Sequence, residues 1–326
     1  MKATDFSNPR RLLDHAVADG VVPGAVIAVG DQAAPVWVEA FGQRRLEPDG
    51  APASVDTIYD VASVTKAVAT SVLAMAAVGR GALRLDDRVG GRVDDFVGEG
   101  KADITVRQLL AHASGLPAHR PLWRQGQAGV DSRRAVVAAA AREPLIYPPG
   151  TRSLYSDLGF IVLGELLERT AGRRLDHQFA EVVTGPLGLQ ATGFVEAPWG
   201  GRAAATPAVV LPAWLRNREI AATQRCPERQ RILVGEVDDL NAAAMEGVAG
   251  HAGLFSTVGD LNRLVVALLA AWRGEGGPIE RDVIRECWRP AGVAGSTWRL
   301  GWDGPAPSGS LAGERLPRTA VGHLGF

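Results

Sequence analysis

Apolar positions along the chain recur first at helical, then at strand, then again at helical intervals. Leu12, Leu13 and Val17 share one helical face, with Pro9 in the first turn and Gly20 as a stop, which predicts a helix from Asn8 to Gly20. Two β-rich runs follow, Ala25 to Val29 and Val36 to Phe41, separated by a turn region at Gly30-Asp31, and predict an antiparallel hairpin. From Ala62 to Val78 an alanine, valine and leucine pattern without a polar face predicts a largely buried helix, closed by Gly79 and Gly81. Between about Asp86 and Gly250 the periodicity stays mostly helical: Val106 to His112, Ser132 to Arg142, Asp157 to Thr170 and Leu175 to Val183, punctuated by clusters such as Pro148-Pro149-Gly150. Two more helices, Asp260 to Trp272 and Ile279 to Cys287, precede strand-like runs at Thr297 to Trp302 and Thr319 to Phe326. Strands, a helical middle and strands again read as α+β with a helical insertion.

Composition narrows the function classes. The 326 residues are 46% hydrophobic and 22% charged, a globular balance. Lys plus Arg is 35 against 36 Asp plus Glu, leaving no basic excess to hold nucleic acid or an anionic membrane. The run from Ala67 to Gly79, between Lys66 and Arg80, falls short of the ~20 apolar residues a bilayer crossing needs. The start, Met1 to Phe6, has no apolar signal core, and Cys226 and Cys287 stand far apart in no metal or redox spacing. The expectation is a cytoplasmic protein with reduced thiols. None of the six histidines falls in a zinc spacing, no serine sits in Gly-x-Ser-x-Gly, and Gly100-Lys101 lacks the rest of a P-loop, so no metal and no cofactor is expected. His15, His119 and His177 read as surface residues.

Only three of the 35 basic residues, Lys2, Lys66 and Lys101, are lysine. Arginine stays protonated in any protein environment, whereas a desolvated lysine can lose its proton and serve as a base. Lys2 and Lys101 lie in polar stretches and read as solvated charges. Lys66 closes Ser63-Val64-Thr65-Lys66 at the head of the buried helix. Three residues of helix put the two side chains on one face, about 4.5 Å apart in rise, the spacing of a nucleophile and its base. The free N–H groups and positive dipole end of a first turn favour a developing negative charge at Ser63. The plainer alternative is that Ser63 caps the helix and Lys66 is incidental. Tyr155-Ser156-Asp157 before an amphipathic helix, and Gly322-His323-Leu324-Gly325 in the last run, are two further candidates.

Together these three motifs resemble the serine β-lactamase and penicillin-binding-protein superfamily, in the class C-like branch that includes family VIII carboxylesterases and D-amino-acid peptidases. Thr105 to Pro117, Pro149 to Arg152 and Gly247 to Ser256 match as well, in order and spacing, from about residue 10 to 326. The resemblance implies a β-lactamase/transpeptidase-like α+β fold, an antiparallel sheet flanked by helices with an inserted helical subdomain. The sheet subdomain would comprise 1–60 and 251–326 and the mainly helical subdomain 61–250, with the site in the cleft between them. It implies a serine hydrolase that forms an acyl-enzyme on Ser63, with Lys66 and Tyr155 moving its proton. The oxyanion hole would be the N–H groups of Ser63 and Phe326, with Asp157, His323 and Gly325 against the substrate, a small acyl compound. His112 and His251 fall in matching stretches and are expected to be structural.

The sequence departs from that pattern in three places. Asp157 stands where many members have asparagine; a carboxylate cannot donate as an amide does and stabilises a charged Lys66. His323-Leu324-Gly325 replaces Lys-Thr-Gly, and a neutral imidazole is a poorer partner than an ammonium for a β-lactam carboxylate. Both favour short-chain esters or related acyl compounds over β-lactams; a D-amino-acid peptidase and a non-catalytic penicillin-binding-like sensor are the alternatives. Family members continue past the last strand, so a C-terminally truncated chain is expected.

Overall fold

The apolar runs at the N-terminus fold as the spacing predicts. In the computed structural model, which describes residues 5–31, 35–46, 50–125, 131–197, 211–310, 313 and 315–326, helix α1 (Ser7–Ala18) packs on a hairpin of β1 (Gly24–Gly30) and β2 (Pro35–Gly42). The hairpin is antiparallel, with Gly24 opposite Gly42 and Val29 opposite Trp37, and is irregular at Gly30. Phe6 stacks on Trp37 at 4.7 Å and ties α1 to the strands.

After β3 (Tyr59–Asp60) the chain enters the core as a π-helical turn, Lys66–Ser71, continued by α2 (Val72–Gly79). Every residue from Lys66 to Ala77 is buried, as an all-apolar pattern requires. The Ser71 hydroxyl donates to the Lys66 carbonyl at 2.7 Å, a five-residue closure that matches the wider π turn. The helical middle follows: α3 (Val106–Leu110), α4 (Ser132–Arg142), α5 (Asp157–Ala171), α6 (Leu175–Phe179), which runs on through a second π turn (Ala180–Thr184), and the short α7 (Gly185–Leu187). Thr105 and Gln108 form a reciprocal capping box on α3, and Asp131 and Ser156 cap α4 and α5 through side-chain oxygens.

Strand β4 (Gly193–Phe194) and the hairpin β5 (Ala222–Cys226) and β6 (Arg231–Val234) come next, then α8 (Leu240–Ala244), β7 (Leu254–Ser256), α9 (Val258–Arg273) and α10 (Arg281–Cys287). Strand β7 is central to an antiparallel sheet, ordered β3-β7-β4, in which Tyr59 faces Ser256 and Gly193 faces Phe255. The strand that leads to Ser63 is thereby joined to the strand that follows His251. Helix α9 packs on β1 and α10 on α2. The structure has the expected mixed α+β arrangement, with the antiparallel pairing of the described residues divided among three small sheets rather than gathered in one.

Two segment predictions are corrected. Thr297 to Trp302 and Thr319 to Phe326 are not strands; the backbone pairing beside them is a single bridge between Asp303 and Gly322. The Leu300 and Gly301 N–H groups are drawn instead to the Cys287 and Leu110 carbonyls, at 3.0 and 2.8 Å. Gly301 is required there: its φ is +79° and a Cβ would stand 1.7 Å from Ser71 Oγ, so the loop lies directly on the π turn. Lys101, expected to be solvated, is buried, its ammonium over the Phe96 ring at 5.1 Å and donating to the Ala141 carbonyl. Burial pushes its pKa down to about 8. Cys226 and Cys287 are free and buried, and desolvation pushes the Cys287 thiol up to about 12. Among the described residues no helix is long and apolar enough to cross a membrane.

Candidate active site

Ser63 sits in a tight turn between β3 and the buried helix, and the backbone there is unusual. Ala62 has φ +46°, a left-handed conformation that costs a residue with a Cβ about 1 kcal/mol or more. Hydrogen bonds on both sides hold it. Asp60 accepts from the Ala62 N–H and from the Asp238 N–H, each at 2.8 Å, and Val61 N–H donates to the Leu254 carbonyl at 3.0 Å. The Thr65 hydroxyl donates to the Ala62 carbonyl at 2.6 Å and accepts from Leu254 N–H at 3.2 Å. The turn is thus fastened to β7 by its own backbone and by the residue one turn on. Desolvation raises the Asp60 carboxyl to about 6 against the opposing pull of its two N–H donors.

Lys66 follows within reach, as the spacing predicts. Its Nζ donates to Ser63 Oγ at 3.0 Å, to the His251 carbonyl at 2.9 Å, and pairs with Asp157 Oδ1 at 2.7 Å. Three acceptors thus surround Nζ, one for each hydrogen that an ammonium carries. The Lys66 side chain is 0% exposed and the Asp157 side chain 15%. The ammonium lies 4.8 Å from the Tyr155 ring centroid and 5.9 Å from that of Phe160. Ser63 Oγ therefore serves as a hydrogen-bond partner of Lys66.

The partners of Lys66 are themselves held. His251 Nε2 contacts Asp239 Oδ1 at 2.7 Å, and Asp239 also caps α8 by accepting from Ala242 N–H at 2.7 Å. Thr70 Oγ1 donates to the Gly250 carbonyl at 2.6 Å. Gly250 is threaded between α5 and the π turn so closely that a Cβ would lie 2.1 Å from the Phe160 carbonyl. Asp157 is in the first turn of α5, where its N–H donates to the Ala118 carbonyl at 2.8 Å. That bond docks the loop after Pro117 on the helix start, and His119 Nδ1 reaches Asp157 Oδ2 at 3.3 Å. Burial works to raise Asp157. The His119 hydrogen bond and the charges of Lys66 and His251 outweigh it and hold the carboxyl below the ordinary carboxylate range. The same bond raises the pKa of His119.

An aromatic wall stands over the ammonium. Tyr155 stacks on Trp298 with centroids 5.7 Å apart, lies 4.8 Å from His112 and 6.1 Å from His323. His112 adopts φ +53°, accepts from Ser156 N–H at 3.0 Å through Nδ1, and is kept well below its usual pKa by burial and by the Lys66 charge. His323 Nδ1 donates to the Leu324 carbonyl at 2.6 Å, which leaves a lone pair on Nε2, a buried atom with no partner among the described residues. Burial and Lys66 push its pKa down to about 4, so it is neutral at physiological pH.

These groups open onto a cleft of about 590 Å3 lined by Ser63, Tyr155, Trp298, Asp303, His323 and Gly325. Phe326 lines it too and is 98% exposed. A Cβ on Gly325 would be 2.7 Å from the Val61 carbonyl, so only glycine lets this segment lie against the Ser63 turn. Outside helices and strands, neither Ser63 N–H nor Phe326 N–H donates to a backbone carbonyl of the described residues. All seven residues singled out from the sequence thus converge: five line the cleft, and Lys66 with Asp157 lies beneath it. His112 and His251 are both buried. The sequence reading missed His119, which is half exposed but tied to Asp157, as well as Trp298, Asp303 and Asp60. Loop docking brings the first three to the site, and no local spacing announces it.

A hydroxyl-and-amine pair at the head of a buried helix, with an aromatic wall and a glycine-flanked segment closing the cleft, sits on a fold that comparison with known families places directly. The chain belongs to the Beta-lactamase family, whose sequence model matches residues 9–326. It is 29% identical over 287 residues to an Escherichia coli (strain K12) protein described as "Putative D-alanyl-D-alanine carboxypeptidase", covering 84% of this chain and 65% of that protein. This chain therefore spans a little under two thirds of that relative's length. Among solved structures it resembles a penicillin-binding protein homologue from Caulobacter crescentus, with TM-score 0.71, 22% identity and coverage of 98% and 86% of the two chains. It also resembles EstCE1, described as a hydrolase with promiscuous acyltransferase activity, with TM-score 0.68, 20% identity and coverage of 96% and 85%.

Proposed function

We propose that this protein is a serine hydrolase that forms an acyl-enzyme on Ser63 and acts on short-chain esters or related acyl compounds. The observation that carries the reading is the 3.0 Å contact between Lys66 Nζ and Ser63 Oγ at the floor of an open cleft. Ser63 Oγ attacks the acyl carbonyl, its proton passes to Lys66 Nζ, and the tetrahedral oxyanion lies toward the Ser63 and Phe326 N–H groups. Collapse expels the leaving alcohol or amine, which takes the proton back from Lys66 with Tyr155 beside the path. Water then repeats the sequence on the acyl-serine. In the resting arrangement Lys66 has all three hydrogens engaged, so it must shed one before it can accept from Ser63.

The cleft lining supports esters over carboxylate-bearing substrates. No lysine or arginine is among its described residues, Asp303 supplies a negative charge, and His323 offers a neutral imidazole. The E. coli relative's description favours a second reading, a D-amino-acid peptidase, which a substrate panel separates from the first. The saturated ammonium favours a third, a penicillin-binding-like sensor that acylates without turnover. Mass spectrometry after treatment with a fluorophosphonate tests the common core: an adduct on Ser63 is expected, and activity lost in Ser63→Ala. An unmodified Ser63, with hydrolysis surviving that substitution, sinks the hydrolase reading; a permanent acyl adduct selects the sensor.

A further inference from the structure

The Asp157 carboxylate is divided between two basic side chains, Lys66 at Oδ1 and His119 at Oδ2, at 2.7 and 3.3 Å. Lys66 is sealed in the core, whereas the His119 side chain is 53% exposed and open to solvent protons. We propose that His119 is a positioning residue that sets how readily Lys66 gives up its proton, by competing for the one carboxylate that holds the ammonium. This rests on the reading of Lys66 as the base for Ser63. A protonated His119 draws the charge of Asp157 toward Oδ2 and away from Lys66, which favours the neutral amine. A neutral His119 leaves Asp157 to Lys66 and favours the ammonium. The proton that Ser63 must hand over is thereby made easier or harder to accept by a group that never touches the substrate.

The surroundings leave His119 free to play this part. It faces Asp157 on α5 and Asp239 at the head of α8, both acidic, while Arg120 beside it opposes its charge. Arg120 is itself paired with Glu143 at 2.5 Å. Asp157 is faced in addition by His251, which is committed to Asp239. The raised pKa of His119 agrees with this sharing.

Two titrating cations on one acid are coupled, so the site's pH dependence belongs to the pair. The full chain, with His119→Gln and His119→Arg, each also made in an Asp157→Asn background, is assayed with p-nitrophenyl acetate from pH 5 to 10. Fluorophosphonate labelling of Ser63 is followed over the same range. His119→Gln, uncharged throughout, is expected to move the acid limb of kcat/KM up by about one pH unit. His119→Arg, charged throughout, is expected to move it down, and the wild type to cross between the two with a slope below one. KM should hold, and both shifts should vanish once Asp157 is asparagine. Shifts of the same sign in both variants, an unchanged limb, or shifts that persist without Asp157 overturn the proposal while Ser63 labelling upholds the hydrolase. Absence of labelling at every pH overturns the hydrolase reading and this inference with it.

Discussion

Replacing Asp157 with asparagine removes one unit of charge 2.7 Å from Lys66 Nζ and changes the shape of the side chain very little. At an effective dielectric of about 20, attraction across that distance is about 6 kcal/mol. His119 takes part of that charge and the carboxylate is partly open to water, so the realised effect is the about 1–3 pKa units found for such contacts. The sign follows from the geometry. An ionised Asp157 favours the ammonium, which has no lone pair for the Ser63 proton, so its removal makes the base available at lower pH. The pH of half-maximal kcat/KM for p-nitrophenyl acetate should fall by about 1–3 units, and the rate at one pH on the acid limb should rise by about 10- to 1000-fold. The assay is the pH–rate profile of both proteins, with Ser63 labelling and a thermal melt to show that the site and fold persist. A midpoint that stays put or rises, in a folded protein whose Ser63 still labels, refutes Lys66 as the base governed by this carboxylate.

Three further outcomes follow from the same geometry. Lys66→Arg keeps a positive charge but offers no usable proton acceptor and must fit a bulkier head into a buried site, so turnover should fall by about 100-fold or more, read as the rate of Ser63 acylation. Gly250→Ala would drive a Cβ to 2.1 Å from the Phe160 carbonyl and 3.0 Å from Gly164 Cα; displacement of α5 should cost about 1–3 kcal/mol or more, seen as a lower urea midpoint. His112 and His323 both have folded pKa values below their unfolded ones, so each contributes stability that is present above about pH 6.5 and lost as the pH falls toward its folded value. Urea midpoints should therefore drop between pH 7.5 and 5, and His112→Asn, which tolerates the left-handed backbone and does not titrate, should show a shallower drop.

Much of the fold was legible from periodicity because the pattern there is local. Helix α4 runs over Ser132–Arg142 as its apolar spacing predicts, and the hairpin of β1 and β2 is bounded within a residue or two of its predicted limits. The final segments misled because β-branched and aromatic residues mark burial as readily as they mark pairing. Arg299 illustrates it: its guanidinium donates to the Trp288 and Arg318 carbonyls, a loop arrangement that a strand pattern cannot announce. Lys101 was misjudged from polar neighbours, although its own ammonium finds a carbonyl forty residues on.

The sequence by itself predicted that Ser63 and Lys66 face one another, because a three-residue spacing at a helix start brings two side chains to one face, and it made Lys66 conspicuous among arginines. Only the tertiary structure decided what surrounds that pair. Asp157 lies 91 positions beyond Lys66, the His251 carbonyl 185 beyond, and His119 reaches the site because a loop docks on the start of α5. Charge acts through distance in space, and a buried ammonium answers to the acceptors packed around it. The reactivity of the amine is therefore settled by chain segments whose separation in sequence carries no trace of their contact.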